Sequence, residues 1–147
     1  MSRYQTVYRD HPEDYDKLVR AEDCDGALHA LLLGACGALR GREVLELGVG
    51  TGRVTRWLMQ AGAAVRGVEQ SAAMVALARE RLGAEGFDVR GLTVGDAYAG
   101  SFGEAWAEVA VGAWVFGACC SSAARAVKAA PTRTAVTPAS AATAAAW

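Results

Sequence analysis

Cysteine and histidine are too few and too badly spaced for metal or disulfide chemistry. Cys24, Cys36, Cys119 and Cys120 show no Cys-x-x-Cys spacing, and only two histidines accompany them. Neither a zinc site nor a disulfide scaffold is indicated, and Cys24 and Cys36 read as ordinary reduced thiols. No apolar run reaches the roughly 18 residues that span a bilayer. Met1-Ser2-Arg3-Tyr4-Gln5 leads into charges rather than a signal-peptide core, so a cytoplasmic chain without a membrane partner is expected. An excess of charge is missing too: 15 basic side chains face 16 acidic ones, for a formal net charge of -1. That balance leaves no electrostatic footprint for nucleic acid. What is present, 147 residues of which 52% are hydrophobic, suits one globular domain.

Acidic residues are also absent from one region. All 16 fall between Asp10 and Glu108, and none occurs from Val109 to Trp147. From Ala118 onward, 13 of 30 residues are alanine, and leucine, isoleucine, phenylalanine and tyrosine do not appear. Such a segment has little to bury. Ser121 to Ala130 has the composition of a short helix stopped by Pro131, with disorder expected beyond it. The chain thus divides into an N-terminal helical segment at 1–40, an α/β unit at 41–117 and an alanine-rich, low-complexity tail at 118–147.

Within the first 117 residues, helices and strands alternate. Asp10-His11-Pro12-Glu13 reads as a helix start leading into Asp14 to Arg20, with proline near the first turn and glutamate placed to cap. Leu28, Leu31, Leu32, Ala35 and Leu39 mark one face of a second helix, ended by Gly41. Glu43 to Leu47 is a short strand that runs into glycines, after which Val54, Trp57, Leu58 and Ala61 resume helical spacing. The unit then repeats. Ala63 to Val68 reads as a strand, Ser71 caps a helix that turns Met74, Leu77, Ala78 and Leu82 inward, and Phe87 to Val94 is a third strand. Ala107 to Phe116 is the fourth. This order predicts a Rossmann-like parallel sheet with helices on both faces, incomplete at about four strands and preceded by N-terminal helices. In such sheets ligands bind beyond the carboxyl ends of the strands.

Three strand ends carry candidate chemistry. The first is Glu46-Leu47-Gly48-Val49-Gly50-Thr51-Gly52, with a helix starting near Arg53. Glycines allow a sharp turn and close approach of a ligand, while free amides at the helix start favour an acceptor-rich group. A dinucleotide fingerprint fails, because Arg53 or Thr55 stands where the third glycine is needed, and no Gly-Lys-Ser/Thr phosphate loop exists. The second strand end presents Glu69, beside Gln70, to accept from both hydroxyls of a ribose. The third presents Gly95-Asp96-Ala97, where an aspartate can accept from a purine amino group. Adenosine without phosphates suits all three ends.

These residues resemble the first three motifs of class I S-adenosylmethionine-dependent methyltransferases. His11-Pro12-Glu13-Asp14-Tyr15-Asp16 is similar to the lead-in of small bacterial members. The resemblance covers roughly residues 4 to 117. It implies S-adenosyl-L-methionine as cofactor, with Glu46, Gly48, Gly50 and Gly52 around the methionine part, Glu69 at the ribose, and Asp96 with the Ala97 amide at the adenine. It also implies that the loop around Trp114 borders the methyl group and the acceptor, a small molecule. No acid or base is obligatory, because the sulfonium already carries a good leaving group; His11, Tyr15 and His29 are available but unplaced. No metal is called for, and no catalytic residue is assigned.

After Gly117 nothing resembles the family's fifth strand, later helices or terminal hairpin. The chain therefore reads as a C-terminally truncated methyltransferase, its fourth strand left as a bare edge of Val109, Val111 and Val115 through which copies could associate. Three functions stay open here: a methyltransferase, a module that binds the cofactor without catalysis, and an inactive fragment. The acceptor itself is not legible.

Overall fold

The computed structural model describes residues 10–23, 25–97, 107–112 and 135–136. Helix α1 spans Pro12–Glu22, and its proline occupies the first turn, where a missing N–H costs nothing. His11 is the N-cap, with no side-chain cap bond, and Glu13 is an acid of the first turn. Helix α2 (Ala27–Cys36) stops at Gly37, earlier than the apolar spacing predicts. Leu39 is 3% exposed although it lies beyond the helix. A continuing helical stripe and a buried loop residue look alike in sequence.

Strand β1 (Glu43–Leu47) leads through the glycine turn into α3 (Arg53–Gln60), then β2 (Ala64–Glu69), α4 (Ala72–Ala84) and β3 (Leu92–Val94). Ser71 caps α4 as expected, its hydroxyl accepting from the Met74 amide at 3.3 Å. Met74, Ala78 and Leu82 are buried, but the fourth inward residue is Val75, and Leu77 is only half-buried. The third strand is shorter than the apolar run from Phe87. The Leu92 amide bonds back to the Val89 carbonyl at 3.1 Å, closing a turn that occupies the first part of that run.

Strands β4 (Val109–Gly112) and β5 (Ala135–Val136) complete a sheet of order β3-β2-β1-β4-β5, and every pairing is parallel. Leu47 stands opposite Val68 on one side and Gly112 on the other, while Glu69 stands opposite Val94. The carboxyl ends therefore lie in one row, and the order reverses between β1 and β4, which places the ligand crevice there.

The fourth strand is not the bare edge expected. Ala110 pairs with Ala135 and Val111 with Val136, and the Val109 and Val111 side chains are buried. Two residues beyond Pro131 thus have a strand's pairing in spite of their alanine-rich setting, and self-association through an open β4 loses its basis. Val115, the third residue of that supposed edge, lies outside the described residues, as does the expected Ser121 to Ala130 helix.

One buried cluster joins Leu32 and Cys36 of α2, Val54 and Leu58 of α3, and Val44, Val65, Val109 and Val111 of the sheet. A second joins Val75, Ala78 and Leu82 of α4 to Val49 and Leu92. The first cluster takes in one face of β1 and β2 through Val44 and Val65, and alternate residues of a strand point the same way. Gly67, two residues after Val65, lets Val49 and Leu92 approach. The helices expected on the opposite face are not among the described residues.

Candidate functional site

The glycine turn is held by its backbone and by one carboxylate. Gly48, Gly50 and Gly52 have φ values of 78°, 56° and 89°, a left-handed conformation that side chains with a Cβ rarely adopt. At Gly52 a Cβ would also stand 3.1 Å from the Ala78 Cβ and 3.1 Å from the Leu82 Cδ1, so this glycine lets α4 approach the loop. The Gly48 amide donates to the Val68 carbonyl at 2.8 Å, fixing the turn to the end of β2. Glu69 then ties the loop further: its Oε2 accepts from the Gly50 amide at 3.0 Å and its Oε1 from the Ser71 amide at 2.9 Å.

Glu46 has the least water of any acid in the site. It is 1% exposed, and its Oε2 accepts from the Thr55 hydroxyl at 2.6 Å. Burial pushes its pKa up to about 8; the Thr55 bonds oppose that rise and the Glu69 charge adds to it. Glu46, Gly48 and Gly50 line a cavity of about 40 Å³, together with Tyr15 and Val19 of α1 and Arg53 at the start of α3. Tyr15 stands over the turn, 3.9 Å from the position of a Gly50 Cβ. The start of α3 has no side-chain cap, which leaves its first amides to other acceptors.

Helix α1 is clasped onto the same loop by Asp16. This nearly buried carboxylate accepts from the Thr51 hydroxyl at 2.7 Å and from Arg20 Nε at 2.7 Å, and it pairs with Arg81 of α4. Its burial raises the pKa, but the Thr51 bond and the two guanidinium groups outweigh that and hold it below the ordinary value. Arg53 adds a bond from Nη1 to the Val19 carbonyl. A larger cavity of about 270 Å³ lies outside the loop, between α1, α3 and α4, bounded by Arg20, Arg56, Trp57 and Glu85 among others. It meets the glycine turn only at Thr51 and Gly52 and does not reach Glu46, Glu69 or Asp96. The smaller cavity, which reaches Glu46, is where the chemistry of the loop is concentrated.

Glu46, Gly48 and Gly50 therefore share one cavity wall, with Glu69 bonded to it. Gly52 instead lines the larger cavity and faces α4. Gln70 is exposed beside Glu69. Asp96 and Ala97 follow Gly95, whose amide donates to the Glu69 carbonyl at 2.9 Å, so they stand at the end of β3 in the same row. Trp114 lies outside the described residues. Of the three base candidates, Tyr15 alone lines the cavity beside the loop. His11 is exposed, and His29 stacks on Trp57 with ring centroids 4.7 Å apart. The sequence reading did not single out Val19 as a cavity residue, because α1 reaches the loop only through the tertiary fold. Among the described residues, no group of three or more His, Cys, Asp or Glu is placed to hold a metal ion, and no helix is long and apolar enough to cross a membrane.

Comparison with known proteins agrees with this arrangement. Residues 44–134 match a family model described as a methyltransferase domain. The match runs past Gly117, where the motif resemblance ends. An uncharacterized methyltransferase from Anoxybacillus flavithermus is 36% identical over 83 residues, 52% of this chain and 38% of the relative. A protein-L-isoaspartate O-methyltransferase from Methylorubrum populi is 41% identical over 81 residues, 55% of this chain and 35% of the relative. The chain thus spans little more than a third of the length of these curated relatives. Among solved structures, a complex of DhpI with SAM and HEP is 26% identical with a TM-score of 0.65, covering 86% of this chain and 56% of DhpI. The chain belongs to the methyltransferase-domain family, whose cofactor is S-adenosylmethionine.

Proposed function

We propose that this protein binds S-adenosylmethionine at the carboxyl ends of β1, β2 and β3 and directs its methyl group to a small-molecule acceptor. The observation that carries this reading is the carboxylate of Glu69 bonded to the glycine turn. An ionised carboxylate offers about four acceptor positions, and two are used by the Gly50 and Ser71 amides. Two remain for a pair of ribose hydroxyls. The residues present fit the cofactor in this respect, and in a second: the cavity wall beside the loop presents an acid, Glu46, with no cation of the chain paired to it among the described residues.

In this reading Glu46, Gly48, Gly50 and Gly52 form the cradle for the methionine part. Glu69, with Gln70 beside it, holds the ribose, and Asp96 with the Ala97 amide holds the adenine. Trp114, in the segment after β4, borders the acceptor. When bound, the cofactor supplies an activated methyl group on a sulfonium whose leaving group is a neutral thioether. The chain's task is then to align an acceptor lone pair with that methyl group and to exclude water. Proximity and orientation of this kind lower a barrier by about 7 to 11 kcal/mol in favourable cases. Of His11, Tyr15 and His29, Tyr15 lines the small cavity beside the loop.

A near-neutral chain, with 15 basic and 16 acidic residues, supports a small acceptor over a polyanion. The test is transfer of labelled methyl groups from S-adenosylmethionine to a panel of small hydroxy, amino and carboxylic acids, with isoaspartyl peptides as a second arm because of the Methylorubrum relative. Label in a small acceptor supports the proposal. Label in peptides alone would replace the acceptor class, and cofactor binding without transfer to either would make the chain a binding module.

A further inference from the structure

We propose that the cavity between α1, α3 and α4 is a binding site for a small oxyanion, a phosphate or carboxylate group received by Arg20, Arg56 and Arg81 on the outer side of the glycine turn. It adjoins the cofactor crevice without sharing Glu46, Glu69 or Asp96, so it does not rest on the cofactor reading above.

The charges around this cavity of about 270 Å³ are unevenly matched: four arginines and three acids line it, in a chain whose formal net charge is -1. Asp16 Oδ2 accepts from Arg20 Nε at 2.7 Å and also pairs with Arg81, while Oδ1 accepts from the Thr51 hydroxyl at 2.7 Å. Two guanidinium groups thus share one carboxylate oxygen. Asp23 turns to the backbone at the start of α2, its Oδ1 accepting from the Leu28 amide at 2.8 Å and its Oδ2 from the His29 amide at 3.0 Å. Glu85 remains for Arg56, whose Nε donates to its Oε2 at 2.7 Å.

The helices oppose the charges placed on them here. Arg53 and Arg56 fall among the first four residues of α3, which has no acid in its first turn and no side-chain cap, so two cations stand at the positive end of that helix. Glu85 is the C-cap of α4, at the negative end of its own helix. An oxyanion between the three helices removes the first conflict and takes over the work of Glu85. That exchange costs little, because the Arg56 and Glu85 side chains are 48% and 38% exposed and solvent screens their pair. Arg20 and Arg56 meet their acids through Nε, which leaves the Nη donors of each among the described residues. Such planar, rigid donors match two oxygens of one phosphate or carboxylate. The volume lies just below the range of pockets for drug-sized ligands, about 300 to 1,000 Å³, and so suits an ion of few heavy atoms.

Calorimetric titration of the full chain with inorganic phosphate and with succinate, at constant ionic strength made up with sodium chloride, tests the site in the absence of cofactor. Saturable binding of at least one probe is expected, and the tighter of the two assigns the class. Arg56→Gln is expected to weaken it about tenfold or more, as the loss of a charge-assisted hydrogen bond would. Glu85→Gln removes the competing acid and is expected to tighten it about two- to fivefold. Arg90→Gln makes the same change of net charge as Arg56→Gln, but at an exposed residue paired to Asp88 away from the cavity, and is expected to leave the affinity as it was. Should Arg56→Gln fail to fold, Glu85→Gln and Arg90→Gln still decide. No saturable binding of either probe by a chain that unfolds cooperatively overturns the proposal. So does equal weakening by Arg56→Gln and Arg90→Gln, which is general charge attraction, or a Glu85→Gln chain that binds no tighter. None of these results bears on the cofactor site.

Discussion

The amide of Gly50 donates a 3.0 Å hydrogen bond to Oε2 of Glu69, across the ends of β1 and β2. A residue that sequence spacing assigns to the ribose therefore also holds the loop that would cradle the methionine part. The two jobs are not separable by removing the side chain. Glu69→Ala leaves the Gly50 and Ser71 amides without their acceptor, so it is expected to cost about 1–3 kcal/mol of folding stability as well as cofactor affinity. Glu69→Gln keeps one acceptor oxygen and should lose less of each. Chemical denaturation beside calorimetric titration separates the effects; unchanged stability in Glu69→Ala would show that the loop does not depend on this bond.

Glu46 makes the opposite contribution to stability at neutral pH. Its folded pKa, about 8, lies above the ordinary 4.5. The folded chain thus binds more protons than the unfolded one between those values, and stability falls as pH rises through that window. Glu46→Gln, which keeps an oxygen for the Thr55 hydroxyl, should match wild type near pH 4.5 and exceed it at pH 8 by on the order of 4 kcal/mol. Urea midpoints measured from pH 4.5 to 9 check this, and parallel curves for the two proteins would contradict it.

Asp16 behaves in the reverse sense. Its folded pKa is depressed, so the stability it adds is present above the ordinary 3.8 and is lost as pH falls through the folded value. Asp16→Ala removes the acceptor of Thr51 and the partner of Arg81, at about 1–3 kcal/mol; Arg20, whose side chain is 67% exposed, contributes little because solvent screens it. Hydrogen exchange should accelerate across α1 and the 48–52 loop and change little in β2. Uniform acceleration throughout the fold would show that Asp16 is not a local clasp.

The approach of Val49 to Gly67 can be tested by overfilling it. A Cβ at Gly67 would lie 2.3 Å from the Val49 Cγ2 and 3.0 Å from the Leu92 Cδ2. Gly67→Ala should destabilise by about 1–3 kcal/mol, and adding Val49→Ala should recover part of it, giving a double-mutant coupling that additive effects cannot. Additive losses would place the two residues apart.

The parts of the fold that were legible in the sequence depend on local patterns. The strand, glycine turn and helix from Glu43 to Gln60, the Ser71 cap, and the Met74, Ala78 and Leu82 stripe all follow from spacing that one element fixes by itself. Glu69 was legible for a related reason, since a strand that ends on a carboxylate puts it at the crevice. The Asp16 clasp was not. Thr51 lies 35 residues from Asp16, and an acid on a polar helix reads as solvated until α1 is seen to cross the loop. The pairing of Ala110 with Ala135 was hidden by composition, because a backbone ladder needs no apolar side chain to announce it. The length of β3 was overread, since Val89 to Leu92 is apolar at both ends yet turns.

The central claim is that the ends of β1, β2 and β3 form a cofactor site, and titration of the folded chain with S-adenosylmethionine tests it most directly. Cooperative unfolding, measured first, establishes that the chain titrated is folded. The account predicts saturable binding that Glu69→Gln weakens. A chain that unfolds cooperatively yet binds no S-adenosylmethionine would contradict it.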